Sequence, residues 1–203
     1  MGEMMKGVIY ISMALLFLLP CYGAETIQML NDSTPSYSME VLEDGFAEYS
    51  VGDVISTFCV EKNETFYPGS SYYAVINDAA ICGGVSGGNP DPLDERSAYL
   101  YTQYISGNPD FQDEEKLQNA IWFIEGEITS ANSYVTLANS AVDNGDWSGI
   151  GNVRIANLYK YYDGETYSGY AQDQLIAIHP VPTPGALVLT GIGTILVGYL
   201  RRR

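Results

Sequence analysis

An uncharged run of twenty residues, 181–200, closes on three arginines, Arg201, Arg202 and Arg203. As a helix this run rises roughly 30 Å, about the depth of one bilayer core. The arginines assign that end to the cytoplasmic face by the positive-inside bias. A second apolar stretch, 8–19, follows Lys6 and gives way to Pro20, Cys21, Tyr22, Gly23 and Ala24. A positive start, a short apolar core and small residues at its end form a secretory signal peptide, with cleavage expected after Gly23 or Ala24. Pro20 directly before Cys21 argues against lipid attachment at that cysteine. The chain therefore divides into a signal peptide (1–24), an extracytoplasmic domain (25–180) and a tail with a transmembrane helix (181–203). Two segments suited to a membrane bracket one that must fold in water.

The middle segment is long enough for a single sizeable core. It carries five basic side chains, Lys62, Arg96, Lys116, Arg154 and Lys160, against 24 Asp and Glu, a net charge of −19. Such a surface repels phosphate backbones and anionic lipid, which excludes nucleic acid as a partner of this domain. Once Cys21 leaves with the signal peptide, Cys59 and Cys82 are the cysteines that remain. The seventeen tyrosines, with abundant Gly, Asn and Ser, fit a β-rich exported protein.

Periodicity changes along the domain. Residues 25–45 read as an irregular lead-in. Residues 54–61 and 72–82 read as strands, the second stopped by Gly83 and Gly84. Between 94 and 106, Ala98, Tyr101, Thr102 and Ile105 recur at helical spacing until Gly107-Asn108-Pro109. Asp113 is a good N-cap for a second helix, with Glu114 and Glu115 favourable in its first turn and Leu117, Ala120, Ile121 and Ile124 as its buried stripe. A shorter helix is expected over 132–141, and 151–161 and 170–179 return to strand character. Strands, then helices, then strands predict an α+β domain: an antiparallel β-barrel or sandwich with a two- to three-helix insert.

Several stretches resemble known families. The order Val181-Pro182-Thr183-Pro184, apolar span, arginine stop resembles a PEP-CTERM sorting tail, with Thr183 standing where that family most often has glutamate. The resemblance implies an exosortase-type enzyme of the Gram-negative inner membrane, which removes the tail during export to the surface. A plain C-terminal membrane anchor is the simpler alternative. Within the domain, Phe58-Cys59-Val60 on an early strand and Gln118-Asn119-Ala120-Ile121-Trp122 opening a helix resemble the thioester domains of bacterial surface adhesins. In those domains the cysteine sulfur is bonded to the glutamine side-chain carbonyl, with loss of ammonia. Leu117 stands where their usual motif has threonine. Residues 98–103, 152–155 and 171–175 resemble a recurring group of exported PEP-CTERM proteins.

The chemistry asks for the same residue types. A thioester needs a thiol nucleophile and a carboxamide held within covalent reach, and it must be kept from water. Phe58 and Trp122 are the expected shields of a Cys59–Gln118 bond, Trp122 from one helical turn beyond Gln118. Free N–H groups in the first turn of the helix are expected to stabilise a developing oxyanion. An amine on a surface protein or in the polysaccharide matrix would attack the Gln118 carbonyl carbon and release Cys59 as a thiol. The competing reading is a Cys59–Cys82 disulfide in a non-covalent structural or carbohydrate-binding matrix protein that uses exposed tyrosines.

Hydrolases fare worse. His179 is the single histidine and adjoins the tail, which leaves a Ser-His-Asp or Cys-His site without a base. Asp143 to Asp146, and Asn89 with Asp91 and Asp94, lack the spacing of a calcium loop and read as turns. No catalytic residue, cofactor or metal ligand is expected. The sequence points to an exported protein, held at the inner membrane until its tail is processed, and not to an enzyme.

Overall fold

The structure is a computed structural model describing residues 25–30, 36–85 and 87–178. The expected signal helix (1–24) and the tail (181–203), with Val181, Pro182, Thr183 and Pro184, lie outside the described residues. Among the described residues no helix is long and apolar enough to cross a membrane.

The chain forms strands β1 (Glu25–Met29), β2 (Tyr37–Val41), β3 (Val54–Thr57) and β4 (Ser71–Asn77), then the short pair β5 (Ala79–Ala80) and β6 (Asp91–Pro92). Three helices follow, α1 (Glu95–Ile105), α2 (Glu114–Ile124) and α3 (Ser133–Asp143), and then β7 (Val153–Tyr162) and β8 (Tyr167–Ala177). Six strands make one antiparallel sheet in the order β3-β2-β1-β4-β7-β8. The α+β class and the helical insert follow the change of period in the sequence.

The barrel or sandwich is corrected. Among the described residues one sheet takes all but the two shortest strands, which leaves no second layer for a sandwich. Nor does the sheet close into a barrel. The outermost strands are β3 and β8, and the segment just after β3 meets β8 through one isolated antiparallel bridge, Cys59 to Gln174. The lead-in is corrected too, because residues 25–45 contain β1 and β2. Their inward side chains are paired by register, Ile27 opposite Val41 and Met29 opposite Met39, all fully buried. Methionine, glutamine and glutamate are weak strand markers, and burial decided the conformation.

Two apolar clusters flank the sheet. Leu100, Leu117, Ala120 and Ile121 from the helices meet Phe58, Ile155 and Leu175 from the sheet. On the other side Ile27, Met39, Phe46, Leu158 and Ile176 gather around Cys59, with Trp122 against them. Alternation along a strand explains the division: Phe58 and Val60 point to the helices, and Cys59 between them points the other way.

Helix α2 is built as its sequence predicts. The Asp113 side chain accepts a hydrogen bond from the Lys116 N–H (3.1 Å). At the far end Gly126 adopts φ +82°, and the Glu127 N–H reaches back to the Trp122 carbonyl (2.7 Å). This left-handed glycine ends the helix and turns the chain back toward Glu127.

Candidate functional site

The site begins with the bridge between the edge strands. Leu175 N–H donates to the Phe58 carbonyl (2.9 Å), and Val60 N–H donates to the Asp173 carbonyl (3.0 Å). These bonds flank Cys59 and Gln174, which are therefore a non-hydrogen-bonded pair of the antiparallel ladder. In such a pair the side chains come close, and the main-chain N–H and C=O point away from the partner strand. The Cys59 groups must then find partners on the side where no strand lies.

Gln118 supplies both. Cys59 N–H donates to Gln118 Oε1 (2.9 Å), and Gln118 Nε2 donates to the Cys59 carbonyl (2.8 Å). The carboxamide stands in for one peptide unit of a missing strand, and the donors and acceptors fix which end is oxygen. Leu117, Ala120 and Ile121 hold this face of α2 in the core, while Gln118 and Trp122, one turn apart, reach the seam. Gln118 is 3% exposed and Cys59 also 3%. Both line a cavity of about 330 Å3 that also touches Tyr37, Lys62, Glu64 and Trp122. The Lys62 ammonium lies 5.8 Å from the Trp122 ring centroid.

The expected source of oxyanion donors is corrected. Gln118 is the fifth residue of α2, and the helical ladder is already running at Leu117, whose N–H bonds the Asp113 carbonyl (2.9 Å). No free first-turn N–H serves the carboxamide. Its oxygen is held by the N–H of Cys59 itself, a donor placed where negative charge would develop in any attack on the Gln118 carbonyl carbon.

Of the expected shields, Trp122 lies along the cavity wall. Phe58 is fully buried but turned toward α1, edge-on to Tyr104 at 5.0 Å and to Tyr101 at 6.3 Å. The alternation that aims Cys59 at the seam aims its neighbour at the helices. Cys59 and Cys82 are both free thiols. Burial first, and the charge of Glu64 next, raise the Cys82 thiol above its ordinary range.

A second strand contributes side chains that the sequence reading passed over. Gln172, Asp173 and Gln174 are consecutive, polar and buried on β8. Gln174 Nε2 lies 3.6 Å from the Cys59 sulfur. Gln172 Nε2 donates to the Glu61 carbonyl, and Asp173 N–H donates to Glu61 Oε2 (3.1 Å). The Asp173 carboxylate accepts from Ile81 N–H (2.8 Å), Asn157 Nδ2 (2.9 Å) and Leu158 N–H (3.2 Å). Burial first, and the neighbouring Asp173 charge next, push the Glu61 carboxyl well above the usual carboxylate range. The signal was legible as three polar residues in succession between Ala171 and the apolar Leu175 and Ile176.

Burial pushes the Cys59 thiol up to about 12, with the Gln174 hydrogen bond acting in the opposite direction and the Glu61 charge adding to the rise. At neutral pH Cys59 is a thiol. Among the described residues no group of three or more His, Cys, Asp or Glu is placed to hold a metal ion. No family model, curated protein or solved structure matches the chain.

Proposed function

We propose that the domain is a covalent adhesin whose reactive group is a thioester between Cys59 and Gln118. One observation carries the reading: the Gln118 carboxamide is docked on the main chain of the residue that bears the thiol, in a cavity that both line. Sulfur adds to the Gln118 carbonyl carbon, the C–N bond breaks, and the thiol proton departs with the nitrogen as ammonia. A primary amine of a surface protein or of the polysaccharide matrix then forms an amide with that carbon. The C–S bond breaks and the proton lost by the amine restores the Cys59 thiol. Each domain reacts once, so it is a binding device and not an enzyme.

The second reading also has an observation in its favour. A glutamine that only satisfied the outward groups of Cys59 would make the same two hydrogen bonds, as a non-covalent matrix protein requires. Intact mass of the purified mature domain separates the two. Condensation of a thiol with a carboxamide lowers the mass by about 17 Da, and a disulfide lowers it by about 2 Da. The thioester form is the expected result, and an unshifted mass overturns it.

The same proposal carries the address. The domain is exported, held at the inner membrane by residues 181–203, and released to the cell surface by an exosortase-type enzyme. Replacing Val181, Pro182, Thr183 and Pro184 by alanine is then expected to leave an unprocessed membrane species. Unchanged processing on a gel rejects the sorting role and leaves a simple anchor.

A further inference from the structure

We propose that Glu61 and Asp173 share one proton, and that this proton latches the segment carrying Cys59 to β8. The inference is independent of the thioester reading. Glu61 and Asp173 are each 1% exposed. Asp173 accepts from Ile81 N–H, Asn157 Nδ2 and Leu158 N–H, the surroundings of an ionised carboxylate, and its roughly four lone-pair sites leave one to spare. Glu61 is placed differently. Its Oε2 takes the Asp173 N–H, but Oε1 is buried with no hydrogen-bond partner. As part of a carboxylate that oxygen is an orphaned acceptor in the core, a costly arrangement. The Asp173 side chain lies within hydrogen-bonding reach of the Glu61 carboxyl. Protonated, Glu61 becomes the donor that two adjoining carboxyl groups need.

Among the described residues no basic side chain is left to neutralise the pair. Arg96 and Arg154 are paired with Asp94 and Asp78, and Lys62, Lys116 and Lys160 lie against the rings of Trp122, Tyr134 and Tyr67. The ionisable groups close enough to interact with the pair are Glu64 in the following loop, Cys82 beyond β5, Cys59 and, on β7, Tyr159. Each of them becomes negative when it ionises. Burial and this like charge drive both carboxyl groups the same way, above the usual carboxylate range. Two such groups side by side titrate as a unit that keeps one proton. The residue that holds it is also fastened to β8, since Gln172 Nε2 donates to the Glu61 carbonyl and Asp173 N–H to the Glu61 side chain. Ionising Glu61 would set two like charges against each other across the seam.

The sign of the pH dependence is fixed by where the proton is held. An unfolded glutamate releases its proton near pH ~4.3, and the native pair keeps it above that value. The stability so supplied is complete below the unfolded value and is lost as pH rises toward the raised native one. Unfolding of the mature protein by guanidinium is measured at about pH 6 and about pH 8, for the wild type and for Glu61→Gln, whose amide donates to Asp173 without titrating. Over those roughly two units the folding equilibrium constant of the wild type, relative to that of the variant, is expected to fall about a hundredfold, tenfold per unit for one proton. Infrared difference spectra in neutral deuterated buffer are expected to show a carboxylic-acid band in the wild type that Glu61→Gln lacks. Asp173→Asn, which gives Glu61 a donor in place of a charge, is expected to let Glu61 ionise and so to weaken the dependence, and it serves if Glu61→Gln does not fold. A ratio that does not move with pH overturns the proposal, as does an acid band of equal size in wild type and variant. Stabilisation of the wild type by calcium ions, absent in Glu61→Gln, also overturns it, because a cation would then stand where the proton is assigned.

Discussion

Cys59→Ala is expected to abolish methylamine uptake completely, while Cys82→Ala leaves it intact. In the wild-type domain the amine should join the Gln118 side chain and expose one thiol, so label and thiol appear in equal amounts. The asymmetry follows from position. Cys59 lies at the seam with its main chain gripped by Gln118, whereas Cys82 lies beside Glu64. Gln118→Glu should be equally inert, because an ionised carboxylate is a poor acceptor for a thiol and has no nitrogen to release. Peptide mapping of the labelled protein reads the site directly. Label that persists in Cys59→Ala would show that another group carries the reactivity.

The second large effect is on stability. Ile121→Asp is expected to unfold the domain, at a cost on the order of several kcal/mol for an unpaired charge in the core. Ile121 is fully buried on the face of α2 that includes Leu117 and Ala120. Leu137→Asp, at a residue of α3 that is 43% exposed, should change stability by no more than about 0.5 kcal/mol. Thermal melting of the two variants side by side checks the assignment. A cooperative transition near the wild-type temperature for Ile121→Asp would show that another face of α2 is buried.

The helices were the most legible part of the fold because each sends its own local signals. Asp113 caps α2, and Leu117, Ala120 and Ile121 mark its inner face within a few turns of chain. Strands β1 and β2 gave no such signal, since what makes them strands is pairing with residues far along the chain. Glu25 lies opposite Ala74, and Tyr37 opposite Thr57. The same distinction runs through the site. Cys59 and Gln118 were picked out by residue type and by resemblance. Gln174 and the turning of Phe58 toward α1 depend on β8 lying beside residues 58–60, a contact between the two edges of the sheet. No local pattern encodes that contact, although the polar run Gln172-Asp173-Gln174 marked a strand with something other than packing to do.

The seam also has a mechanical consequence. A partner joined at Gln118 and an attachment beyond Ala177 would pull on the chain from α2 to the end of β8. Within that stretch β7 and β8 form a hairpin whose open end is the pair Val153 and Ala177. Tension applied there parts the strands from the end, one rung after another, which is the weak direction for an antiparallel ladder. The hairpin is braced close to that end. Phe58 and Val60 hold Leu175 and Asp173 through the main chain, and Thr57 holds the Leu175 carbonyl through its hydroxyl. Peeling β8 away from β7 therefore also requires tearing it from the segment that carries Cys59. This clamp is made by main-chain groups and one hydroxyl and does not depend on a C–S bond, so on the proposed mechanism the strands stay fastened after a partner is caught.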